Sequence, residues 1–106
     1  MISKEDIQAA VDLLARDPAV DKVIIFGSQA TGEAREDSDL DLLVIETDLA
    51  SRHSEMVRLR ACLRPLGIPV DVLVIDAKQF EIWKEHPGTA IHEAAHQGQV
   101  AYERAG

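Results

Sequence analysis

The sequence predicts an α+β domain in which strands and helices alternate, with a mixed central β-sheet and helices packed on it. Three observations carry this expectation. Three short runs rich in β-branched and aliphatic residues (VDKVIIF, DLDLLVI and PVDVLVI) have strand length. The segments between and around them repeat apolar residues at helical spacing. Proline and glycine fall where one pattern gives way to the next. A length of 106 residues suits one compact domain spanning 1–106.

The elements follow in order. Ser3 and Asp6 form a capping-box start, with Asp in the place of Glu, and Ile7, Ala10, Val11 and Leu14 then share a helical face. Asp17-Pro18 ends that helix, because a residue before proline is pushed out of the α region. Val20–Phe26 reads as the first strand. Gly27–Ser38 is polar and glycine-bearing, hence a loop with room for a short helical turn. Asp39–Ile45 is the second strand. Ala50–Leu63 places Met56, Val57, Leu59 and Leu63 at helical intervals, and Pro65 and Gly67 break it. Pro69–Ile75 is the third strand, Lys78–Lys84 a short helix, and Thr89–Gln97 a further helix between Pro87-Gly88 and Gly98. Val100–Tyr102 is a short last strand. Cys62, lying between Leu59 and Leu63, reads as a small core residue.

Composition narrows the function classes. Hydrophobic residues make up 46% of the chain, enough to bury a core, while the scarcity of aromatics makes that core aliphatic. No apolar run approaches the roughly 20 residues that span a bilayer, and the N-terminus has no basic segment followed by an apolar one. The expectation is therefore no membrane and no signal peptide. A lone cysteine forms no internal disulfide and fits a reducing, cytoplasmic setting. The formal net charge is −8, from 11 Lys and Arg against 19 Asp and Glu. Gripping a long nucleic acid through its phosphates calls for a basic face, so no long nucleic acid is expected as a partner. An acidic surface fits docking on a basic protein.

The residues that carry chemistry cluster on the strands. Asp39 and Asp41 alternate with Leu40 and Leu42, so their carboxylates share one face, about 6.7 Å apart along the strand. A solvated acidic edge is the bland explanation, yet carboxylates form strands poorly and like charges repel unless a cation or a proton relieves them. Asp71 repeats the anomaly inside the third apolar run. If the third strand lies beside the second, one acidic site forms. Oxygen ligands without His or Cys suit Mg²⁺ or Mn²⁺ rather than zinc, and such a site can neutralise the phosphates of a nucleotide. Gly27-Ser28 follows the first strand directly. By itself the pair most often marks a turn, but glycine permits close approach of a ligand and the turn can bind an anion through backbone N–H groups.

Gly27-Ser28, then ten residues, then Asp39-Leu40-Asp41 resembles the signature of the polymerase-β-type nucleotidyltransferase superfamily. The string IIFGSQATGEAREDSDLDLLVIE is similar to its minimal nucleotidyltransferase (MNT) branch. The resemblance is strongest from Val20 to Asp76 and continues through GTAIHEAAHQGQVAYE. It implies a nucleotidyltransferase-like fold, with Gly27 and Ser28 holding the triphosphate of ATP or another NTP. It also implies Asp39, Asp41 and Asp71 binding Mg²⁺ or Mn²⁺, and Asp71 helping to deprotonate an acceptor hydroxyl. The implied reaction transfers a nucleoside monophosphate, AMP from ATP, and releases pyrophosphate. Relatives of this size are often antitoxins paired with a HEPN-type ribonuclease toxin, which some of them adenylylate. One departure stands out: the family often has arginine after Gly-Ser, and this chain has Gln29, whose neutral amide supplies no charge to a phosphate. Arg35 is a nearby residue that could compensate. This departure favours the alternative of a non-catalytic antitoxin or adaptor that neutralises its partner by occlusion.

His92-Glu93-Ala94-Ala95-His96 also matches the H-E-x-x-H helix of zinc metallopeptidases. The remote alternative of a zinc peptidase has little sequence to supply a third ligand after His96, and an exposed polar helix face explains the same residues. His53 and His86 read as surface residues. Trp83 and Tyr102 read as covers for the core or a protein interface.

Overall fold

The computed structural model describes residues 2–35 and 38–105. Positions 36 and 37, within the expected Gly27–Ser38 loop, and the two terminal positions lie outside the described residues. Helix α1 (Lys4–Ala15) opens on the capping box: Asp6 N–H donates to Ser3 Oγ (3.0 Å), and Ser3 N–H donates to Asp6 Oδ2 (3.3 Å). Strand β1 (Lys22–Phe26) begins two residues later than the apolar run suggests. Val20 is still in the preceding turn, its N–H bonded to the Asp17 carbonyl at 3.1 Å.

A four-residue helix, α2 (Ser28–Thr31), follows Gly27, and β2 (Leu40–Glu46) then runs antiparallel to β1. Helix α3 (Arg52–Leu63) is capped by Ser51 and ends in a 3-10 turn at Arg64–Leu66, where Pro65 sits, before Gly67 turns the chain in the left-handed region. Strand β3 (Val70–Asp76) lies parallel to β2. Asp76 caps α4 (Ala77–Trp83), Thr89 caps α5 (Ala90–Gln97), and β4 (Gln99–Glu103) pairs antiparallel with β1.

The sheet order is β3-β2-β1-β4. One core joins Ala10, Val11 and Leu14 of α1 and Leu59 and Leu63 of α3 to Val23, Leu40, Leu42, Val44, Val72 and Val74. The other places Ile91 and Ala94 of α5 against Ile24, Phe26, Leu43, Ile45 and Ile75. Helices therefore cover both faces, which is why Leu42, Leu43, Val44 and Ile45 are buried in succession rather than alternately.

Cys62 corrects the sequence reading: it is exposed. Helix α3 buries only the narrow Leu59–Leu63 stripe, and Cys62 falls beside it on the solvent side, as does Val57. Tyr102 is half-buried against the α1 side of the core. Trp83 is exposed, with its indole N–H donating to Gln79 Oε1 (3.2 Å). His53 and His86 are on the surface.

Candidate active site

The period-2 geometry of β2 sends Leu40, Leu42 and Val44 into the α1–α3 core and turns Asp41, Leu43 and Ile45 to the α5 side. Asp41 is the first of these, at the end of the sheet where β1 stops, and it pairs with Phe26. In the parallel ladder on its other side, Asp41 stands opposite Asp71. Asp39 precedes the strand by one residue and is exposed. The tertiary register thus brings the third aspartate beside the second.

Gly27 closes the site from β1. Its φ is +73°, a left-handed value that glycine tolerates and other residues resist, and a Cβ on it would collide with the Asp41 carboxylate. Ser28 opens α2, whose leading N–H groups belong to Ser28 and Gln29 and have no partner inside the helix. The Gln29 amide donates to the Ser38 carbonyl (3.4 Å), so the residue that departs from the family pattern ties α2 to the segment delivering Asp39. Arg35 is exposed, and its backbone N–H donates to Ser38 Oγ (2.7 Å).

Electrostatics mark the cluster as short of positive charge. Burial pushes the half-buried Asp41 carboxyl above the usual range, and the charges of Asp71, Asp39 and Glu93 push it the same way. Glu93 is the residue that sequence reasoning assigned only to a solvent-facing helix surface. Packing of α5 on the face of β2 that carries Asp41 brings it within range, and helical spacing from Ile91 contains no hint of that. Arg60 is the second such residue. Its Nη2 lies 2.6 Å from Asp71 Oδ1, reaching the edge strand from α3. Nothing in the sequence links residues 60 and 71.

The donor set suits a hard divalent cation, since every facing group is a carboxylate and like charges stand side by side. As the side chains stand, no three His, Cys, Asp or Glu among the described residues converge closely enough to hold an ion; Asp71 is engaged by Arg60 instead. In the HEAAH segment the two histidine rings lie 4.3 Å apart, and His96 Nε2 is 3.1 Å from the Lys84 carbonyl, in position to donate to it. His92 is half-buried, and Glu93 and His96 are exposed. A cleft of about 490 Å³ at the opposite end of the sheet also gathers carboxylates, Asp21, Glu81 and Glu103, but there Lys22 pairs with Glu103 and Arg104 with Asp21.

A mixed four-stranded sheet with helices on both faces and paired strand carboxylates beside a Gly-Ser turn is the frame of a nucleotidyltransferase-like protein. The family profile described as "Polymerase beta, Nucleotidyltransferase" matches residues 8–105, and the chain belongs to that family. Among solved structures it is similar to a candidate nucleotidyltransferase from Sulfolobus solfataricus (20% identity, TM-score 0.66, covering 94% of this chain and 79% of that one). It is also similar to a toxin–antitoxin structure with AMP-PNP (19%, TM-score 0.55, 93% and 73%). A third is a tri-AMPylated Shewanella oneidensis HEPN toxin in complex with its MNT antitoxin (17%, TM-score 0.53, 95% and 72%). At such identities the likeness is one of fold. No curated protein matches the chain significantly.

Proposed function

We propose that the chain is a divalent-metal-dependent nucleotidyltransferase, one domain over residues 1–106, that transfers AMP from ATP to a hydroxyl on a partner protein. Its partner in this reading is a basic, HEPN-type toxin, met in the cytoplasm, for which the chain is the antitoxin. The observation that carries the reading is the register pair Asp41–Asp71, with Gly27 pressed against Asp41. Carboxylates so placed repel each other without a cation, and the turn beside them suits phosphate. The MNT antitoxin seen with an AMPylated HEPN toxin, and the AMP-PNP held by a second toxin–antitoxin structure, support the choice of reaction.

In this mechanism the Gly27-Ser28 turn receives the triphosphate through backbone N–H groups and the serine hydroxyl. Asp39, Asp41 and Asp71 hold Mg²⁺ or Mn²⁺, which when bound neutralises phosphate charge and polarises the α-phosphoryl group. The acceptor oxygen bonds to the α-phosphorus, the bond to the β-phosphate oxygen breaks, and pyrophosphate leaves. Asp71 takes the hydroxyl proton. Incubation with labelled ATP, Mg²⁺ and the partner should label the partner and lose that label in Asp41→Ala. Absence of transfer with either Mg²⁺ or Mn²⁺, beside an active family member, would overturn the catalytic reading.

A second reading, neutralisation by occlusion without turnover, is favoured by Gln29 being spent on the Ser38 carbonyl. An Asp39→Ala/Asp41→Ala variant that stays folded and still fully neutralises the partner selects it.

A further inference from the structure

We propose that Arg60 is a built-in competitor for the metal at Asp71: in metal-free protein its guanidinium holds the third carboxylate, and a divalent ion binds there against that pairing. The proposal rests on the metal-dependent reading above.

Three observations point to this role. Helix α3 packs through Leu59 and Leu63 onto Val72 and Val74, the face of β3 opposite Asp71. Arg60 must therefore reach past the edge strand to place Nη2 2.6 Å from Asp71 Oδ1. Among the described residues, Arg60 is the only cation ion-paired with any of Asp39, Asp41, Asp71 and Glu93. Finally, both side chains are about half exposed, at 46% and 52%, so water can replace either partner and the pair can open.

The two occupants compete. The Arg60 N–H draws on an Asp71 Oδ1 lone pair, and the guanidinium charge repels a divalent ion brought to the same carboxylate. Without any partner, Asp71 would face Asp41 across the ladder as a bare like charge. A weak pair meets both needs. It relieves the repulsion in the resting protein, yet yields to an ion of twice the charge. An exposed pair shifts a competing equilibrium by only about two- to fivefold, which defines the expected effect.

The test is Mn²⁺ titration of the full chain by calorimetry, without nucleotide, for wild type, Arg60→Gln and Arg64→Gln. Arg64, in the 3-10 turn that follows α3, is also exposed, carries the same charge, and has no ion pair among the described residues. Arg60→Gln should bind Mn²⁺ about two- to fivefold more tightly than wild type, and the gap should narrow as salt rises. Arg64→Gln should stay near wild type. Equal affinities for wild type and Arg60→Gln overturn the role of Arg60 while leaving the metal site standing. An equal gain in Arg64→Gln also overturns it, because net charge alone would then explain the effect. No Mn²⁺ binding by either wild type or Arg60→Gln removes the metal site, and the inference with it.

Discussion

Replacing Glu46 by glutamine should stabilise the protein, by an amount that grows as pH rises from about 4.5 to about 7. Glu46 ends β2 on the α1–α3 side, 1% exposed, and its Oε2 has no hydrogen-bond partner. Burial, then the hydrogen bond and charge of Glu55, push its carboxyl from 4.5 up to about 7. Glu55 moves the other way, chiefly because Arg58 donates to both of its oxygens (2.6 and 2.7 Å). Between the two values, Glu46 is protonated in the fold and ionised in the unfolded chain. The sign follows: protonation favours the fold, so this group costs nothing below about 4.5, costs progressively more up to about 7, and costs its full amount above that. A shift from 4.5 to about 7, at 1.36 kcal/mol per pKa unit, sets a ceiling of about 3 kcal/mol. Glutamine keeps the shape and supplies a permanent donor to Glu55. Urea unfolding followed by far-UV circular dichroism at pH 5, 6, 7 and 8.5 reads the difference. Glu46→Gln should gain little at pH 5 and about 2–3 kcal/mol at pH 8.5, equivalent to about 10–20 °C in Tm for a domain of this size. A difference that is flat with pH, or a variant less stable at pH 8.5, would refute the reasoning.

Other perturbations test the site and its frame. Gly27→Ala puts a Cβ into the Asp41 carboxylate at a φ of +73°, and should cost about 1–3 kcal/mol in urea unfolding and abolish Mn²⁺ binding. Asp41→Asn removes a half-buried carboxyl whose pKa is raised by burial and then by Asp71, Asp39 and Glu93, so the metal-free protein should melt at or above wild-type temperature while losing the rise on adding Mn²⁺. The wild type's own contribution from Asp41 should improve as pH falls through that raised range; a fall in Tm for Asp41→Asn at pH 8 would contradict the repulsion. Ser3→Ala removes half of the α1 capping box and should cost about 1 kcal/mol in urea unfolding, with Mn²⁺ affinity unchanged.

Local rules recovered the elements well where the cause was local. Ser3 with Asp6, and Thr89 ahead of α5, cap as their spacing predicts, because a cap is settled within one helical turn. Boundaries moved by one or two residues where a turn competed with an apolar run, as at Val20. Cys62 went wrong for a different reason: helical spacing says which residues share a face but not how wide a stripe the neighbouring strand will cover.

The acidic pair is where the two kinds of information divide. That Asp41 alternates with Leu40 and Leu42 on a strand, and that Gly27 can take a conformation barred to other residues, follows from backbone geometry alone and was legible in the sequence; Asp39, expected on the same strand, lies one residue before it. That Asp71 stands opposite Asp41, that Arg60 reaches Asp71, that Glu93 adds to the field and that Glu46 is sealed from water were decided only by the parallel register of β3 and the packing of α3 and α5. Those relations join residues far apart in the chain, and a one-residue slip in register would have turned Asp71 to the other face of the sheet.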